Sequence, residues 1–312
     1  MWNTIHAASD PLAWIAIGGF VLAIAFDWGG YRQRARYLAS FAWAVFGLFW
    51  FAMFPYFYFD FQSPLESILS LAAVPLCLYA GWLIASGKHD LVLLSRAVGV
   101  MGLIYLPAMM YEPITQALIE TVTVQTVWGM ELLGYSPAIE TGANGYESRF
   151  DMEPYTGDTY STYIVLACTG IGSMAIFGGL IAATNASLQR KLLGIAAAVG
   201  IIWILNLARN VFVGLAAPLG WFDYPLLESI TAILAGEGMR TSFFVAHHLI
   251  AQTLAVVALI GIALIIIKIV PEILAILDEA LFIATGTEFD LMETIGPDRT
   301  RTDGGSDSSR RP

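Results

Sequence analysis

The segment Phe243–Val270, FFVAHHLIAQTLAVVALIGIALIIIKIV, decides the class of fold. It exceeds the ~20 apolar residues that a helix needs to cross a ~30 Å hydrocarbon core. Leu91–Met110 and Leu192–Ala217 are comparable runs. Over the 312 residues 57% are hydrophobic and the mean hydropathy is +0.69, a membrane protein's composition rather than a soluble domain's.

Working outward from that segment, seven spans are predicted, at 11–27, 38–59, 65–85, 91–110, 161–183, 192–217 and 243–270. The expected fold is therefore all-α, a polytopic helical bundle with added amphipathic interfacial helices. No Lys or Arg precedes the first apolar run, and Arg32, Arg34 and Arg36 follow it. That order reads as an uncleaved first span with the N-terminus outside. Alternation then puts Lys88, Arg190 and Lys191 inside as well, and leaves Arg149 and Arg240 outside, which obeys the positive-inside rule at each short loop.

The connecting segments divide the chain further. Residues 1–133 hold the first helices and end in Ile114–Leu133, where Ile114, Ala117, Leu118, Thr121, Val122, Gln125 and Trp128 recur at helical spacing opposite Glu120 and Glu131. This is an amphipathic helix on the outer surface. Making it a span would invert everything downstream and break the charge pattern. Residues 134–160 form an acidic, turn-rich extracytoplasmic loop with Glu140, Glu147, Asp151, Glu153 and Asp158 against Arg149. It is either a solvated loop or a lid that admits a substrate. Residues 161–270 form the core that carries the reactive groups, 271–295 a second amphipathic stretch on the inner face, and 296–312 a tail with nothing to bury.

The net charge of −10 excludes nucleic acid as a partner and suits a high-salt milieu. The two cysteines make no disulfide framework, and Cys77 reads as an inert core thiol in an apolar run.

Three reactive side chains stand in three different apolar segments: Cys168, Arg209 and His248. Helix rise puts them roughly 10, 13 and 9 Å below the outer boundary, the same depth within the error of the boundaries. An arginine at mid-membrane costs about 2.5–3.5 kcal/mol on the most lenient scale. A lone thiol usually serves packing, a buried imidazole can simply cap a carbonyl, and an arginine beside asparagines can tie helices together. Their agreement in depth favours a site. Cys168 shares an α-helical stripe with the small residues Gly172, Ala175 and Gly179, so it faces the bundle. Arg209 shares a polar face with Asn206 and Asn210. His248 lies with Thr241 and Gln252 on the more polar face of its span, whereas His247 lies with Phe243, Phe244, Ile250, Ala251 and Leu254. His248 is accordingly the first choice and His247 the second.

These residue types suit acyl transfer through a thioester. A thiolate is the nucleophile, a histidine takes and returns its proton, and the permanently charged guanidinium stabilises an oxyanion or carboxylate. No cofactor or metal is called for. A non-enzymatic carrier or channel, with Arg209 and His248 lining an anion or proton path, is the alternative.

Ala167-Cys168-Thr169-Gly170, Asn206-Leu207-Ala208-Arg209-Asn210 and Phe244-Val245-Ala246-His247-His248 together resemble the signature of the exosortase/archaeosortase family. The resemblance covers about residues 150–265, and the acidic composition matches its haloarchaeal members. It implies a membrane-embedded cysteine protease/transpeptidase. Its partners would be surface proteins, such as an S-layer glycoprotein, bearing a C-terminal sorting signal of PGF-type motif, transmembrane helix and basic tail. It would transfer the new C-terminus to a membrane lipid headgroup amine. Cys168 would carry the acyl-thioester, Arg209 would donate a proton or stabilise charge, and the histidine would stabilise the transition state.

Overall fold

The computed structural model describes residues 6–60, 64–89, 91–152, 160–235 and 238–295. The tail expected to be disordered, together with Glu153, Pro154, Gly157 and Asp158 of the acidic loop, lies outside them. Four helices come first: α1 (Ser9–Trp28), α2 (Arg32–Pro55), α3 (Pro64–Ser86) and α4 (Val92–Met110). They pack around Phe20, Trp43, Leu83, Ile84 and Leu106. Phe20 meets Trp43 edge-on at 5.3 Å, and the buried indole N–H of Trp43 donates to Ser95 Oγ at 3.0 Å. An indole in an apolar core needs such a partner. Helix α2 begins at Arg32, not at residue 38, so Arg32, Arg34 and Arg36 stand on its first turns.

Helix α5 (Glu112–Glu131) leads into a three-stranded antiparallel sheet of β1 (Ala138–Thr141), β2 (Glu147–Met152) and β3 (Tyr160–Tyr163), in the order β1-β2-β3. Much of the acidic segment expected as a loop is thus paired backbone. Along β2, Ser148, Phe150 and Met152 point inward and alternate with Glu147, Arg149 and Asp151, the period of a half-buried strand. Fully buried Phe150 packs with Met130 of α5 and Leu215 on the far side. Burying such a ring is worth about 1.5–3 kcal/mol. The buried face of α5 is Ile119, Val122, Thr126, Val127 and Met130, while Trp128 and Ile114 are exposed. Its face is therefore rotated from the one expected. Apolar residues nearly encircle this helix, and packing decides which of them turn inward.

A 3-10 turn, Leu166–Thr169, then precedes α6 (Ile171–Ala183), α7 (Leu188–Ala216), α8 (Pro225–Ala235), α9 (Thr241–Ile269), α10 (Ile273–Thr285) and the short α11 (Leu291–Ile295). Within α9 the turns Phe244–Ala251 are π-helical. Helices α6, α7, α9 and α10 share a core of Ile181, Ile202, Ile262, Ile266 and Ile273. Helix α8 was not foreseen, the segment having been read as outer loop.

Among the described residues, six helices are long and apolar enough to cross a membrane: α1, α2, α3, α4, α7 and α9. The fifth predicted span, 161–183, is not one continuous helix, so the expected count of seven rests on a short α6. That segment is a strand, a 3-10 turn and the thirteen-residue helix α6. Thirteen residues rise only about 20 Å. The interruption is at Gly170, whose φ of +77° lies in the left-handed region. Helix α6 runs antiparallel to α4, with Gly172 beside Tyr105 and Gly179 beside Ala97. At Gly179 an added Cβ would stand 2.7 Å from the Ala97 carbonyl oxygen, so the two backbones touch there as small-residue membrane interfaces do.

Candidate functional site

The residues around Cys168 come from three elements. Strand β3 ends where the Ile164 N–H donates to the Ser148 carbonyl at 2.8 Å, which ties the sheet to the 3-10 turn. In that turn the Cys168 N–H donates to the Val165 carbonyl at 2.8 Å and Thr169 Oγ1 to the Leu166 carbonyl at 2.7 Å. Gly170 then reverses the backbone into α6. Cys168 consequently stands ahead of α6, not on its stripe as the spacing implied. Its thiol is half-buried and unpaired, whereas Cys77 is buried in the first bundle.

Helix α7 presents Asn206, Arg209 and Asn210 on one face, at i, i+3 and i+4. Both asparagine side-chain amides donate to the carbonyl oxygen of Cys168, that of Asn210 at 2.8 Å. Their shared polar face is legible in the sequence, whereas the carbonyl they hold is not. Two donors satisfy a carbonyl that the short 3-10 turn leaves without a helical partner. They also clamp the cysteine backbone onto α7 beside the backbone reversal at Gly170.

Between the two asparagines stands Arg209. Its Nη2 lies 3.3 Å from Nδ1 of His247, and its buried Nε has no hydrogen-bond partner among the described residues. A guanidinium has donors only, so this contact uses the Nδ1 lone pair and leaves the proton of neutral His247 on Nε2. The His247 ring stacks on Phe243 at 5.0 Å, and the exposed His248 ring stands edge-on to it at 4.7 Å. The arginine thus meets His247, the second choice, and not His248. The facing argument assumed α-helical periodicity, but the histidines sit in π-helical turns with i→i+5 bonding.

Arg209 and Asn206 also line a cavity of about 360 Å³ with Ser173, Leu254 and Ile262, between α6, α7 and α9. Ala251 and Leu254 belong to the face of α9 that polarity alone had turned away from the site. Among the described residues no cluster of three His, Cys, Asp or Glu could hold a metal ion.

A half-buried cysteine in a turn, its carbonyl tied to a long apolar helix that carries a partly unsatisfied arginine beside a histidine, defines a polytopic membrane protein with a polar site between its helices. The profile of the transmembrane exosortases matches residues 2–224, which include Cys168 and Arg209, and the chain belongs to this family. It is similar to Archaeosortase A of Natronomonas pharaonis, 43% identical over 95% of this chain and 94% of the relative. It is also similar to Archaeosortase A of Haloferax volcanii, 39% identical over 93% and 98%. No solved structure matches it.

Proposed function

We propose that the chain is a membrane-embedded thiol peptidase and transpeptidase that processes C-terminal sorting signals of surface proteins. The observation that carries this reading is the double tie of the Cys168 carbonyl to Asn206 and Asn210, on either side of Arg209. A nucleophile needs a fixed backbone, and these ties hold it on the helix that also carries Arg209. The similarity to two proteins named Archaeosortase A supports the same reading.

In this mechanism the Cys168 sulfur, its proton taken by a histidine, attacks the carbonyl carbon of the scissile bond. The carbonyl oxygen takes up the negative charge opposite Arg209, whose donors stabilise it. Collapse breaks the C–N bond, the departing amine receives the proton, and an acyl-thioester remains on Cys168. A lipid headgroup amine then attacks the thioester, the amide forms and the thiol is restored. His248, free of the guanidinium contact, serves as the base, and His247 holds Arg209 in place. The N-terminus lies outside, the C-terminus in the cytoplasm, and the cysteine near the outer face, in accord with the positions of Arg32–Arg36, Lys88 and Arg190–Lys191.

The deciding experiment follows a client whose C-terminus bears a PGF-type motif, a transmembrane helix and a basic tail. With Cys168→Ala the full-length client accumulates, and mass spectrometry finds no lipid-linked C-terminus. Normal processing by Cys168→Ala would overturn the nucleophile assignment.

A further inference from the structure

A second cavity, which this reading leaves unused, lies at the other end of the helices. Arg96 stands at the start of α4, and α6 runs antiparallel to α4, so this end is remote from Cys168. There α1, α2 and α4 surround a cavity of about 640 Å³, within the range of ligand sites. Its polar wall holds Arg32, Arg36, Arg96 and Asp27, and its apolar wall includes Ile24, Ile84 and Val92. Three guanidiniums against one carboxylate leave two positive charges in a cleft between membrane helices.

The three arginines are not equally engaged. Arg36 is spent on structure, with Nε and Nη2 donating to the Ile84 and Ala85 carbonyls that end α3. Arg96 pairs with Asp27 through Nη2 at 2.8 Å, but its buried Nε has no hydrogen-bond partner among the described residues. Arg32 is exposed and makes no hydrogen bond or ion pair among the described residues. A buried guanidinium donor without an acceptor is costly, and an anionic oxygen is what would relieve it.

We propose that this cavity binds the phosphate headgroup of an anionic membrane lipid, held by Arg32 and Arg96, with an acyl chain along Ile24 and Val92. Guanidiniums match phosphate oxygens in a forked geometry, and basic pockets between membrane helices are the usual seats of acidic headgroups. The apolar wall favours a lipid over a free phosphate ester, which would leave that wall unused. The site stands independently of the chemistry at Cys168.

The test is native mass spectrometry of the purified full chain released from detergent micelles that carry equal amounts of dioleoyl phosphatidylglycerol and dioleoyl phosphatidylcholine. Wild type retains one phosphatidylglycerol through activation that strips phosphatidylcholine. Arg32→Gln/Arg96→Gln loses at least tenfold of that retention, and Arg32→Gln alone, at an exposed and uncontacted position, loses severalfold while keeping the fold. Glycerol 1-phosphate, the soluble arm, neither binds nor displaces the lipid. Equal retention by wild type and Arg32→Gln, equal retention of both lipids, or binding of glycerol 1-phosphate as tight as the lipid's would each overturn the proposal.

Discussion

The side-chain amide of Asn210 donates to the carbonyl oxygen of Cys168 at 2.8 Å, across forty-two positions of sequence, and so couples the nucleophile's backbone to α7. Replacing Asn210 by Asp puts a carboxylate against that carbonyl and turns the attraction into repulsion. Client processing by Asn210→Asp is expected to fall about 10–100-fold, in line with about 1–3 kcal/mol for an uncompensated buried polar group. Alkylation of Cys168 by a thiol reagent should change with it, because the turn shifts. An unchanged processing rate in a client-cleavage assay would show that the tie is dispensable.

Arg209→Lys keeps the charge but loses the fork that meets both His247 and a developing oxyanion. Processing is expected to drop at least ~100-fold, comparable with removal of an oxyanion donor. Time courses of client cleavage check this, and thermal unfolding of the variant should stay close to wild type.

The two histidines separate in a pH profile. If His248 is the base, activity in wild type declines as acid protonates it, and His248→Gln is slow at every pH with that acidic limb removed. His247→Leu retains the limb and is slower throughout, because Arg209 loses its acceptor. The reverse pattern would exchange the two roles.

Gly170→Ala tests the break ahead of α6. A side chain in the left-handed region costs about 1–2 kcal/mol, and here the new Cβ also comes within 3.3 Å of Asn206. Thermal unfolding should shift down by several degrees, and processing should fall with the displaced asparagine.

The spans at α1, α3, α4, α7 and α9 were legible because about twenty apolar residues can do little else in water. Arg209 was legible because its cost in hydrocarbon demands a reason. The sheet was missed because β2 is six residues long, half of them charged. Its signal was present in the alternation through Ser148, Phe150 and Met152 and in Asn144-Gly145, a pair suited to a tight hairpin. The break at Cys168 was hidden because Gly170 served as one more small residue in an apolar run, and a glycine's φ is not written in composition. The histidine facing failed for a different reason. A π-helical segment rotates side chains away from the α-helical wheel, and the wall of the cavity is apolar where polarity was the guide.

Because α6 rises only about 20 Å, roughly a third of the hydrocarbon slab along its axis has no helix in it. Unpaired peptide groups cannot face acyl chains at such a level; they must rest on protein or on water. The Cys168 carbonyl meets that requirement on protein, through the side-chain amides of Asn206 and Asn210. On the proposed reading, that unspanned end of α6 is where the client's scissile bond and the acceptor amine would have to come to the sulfur.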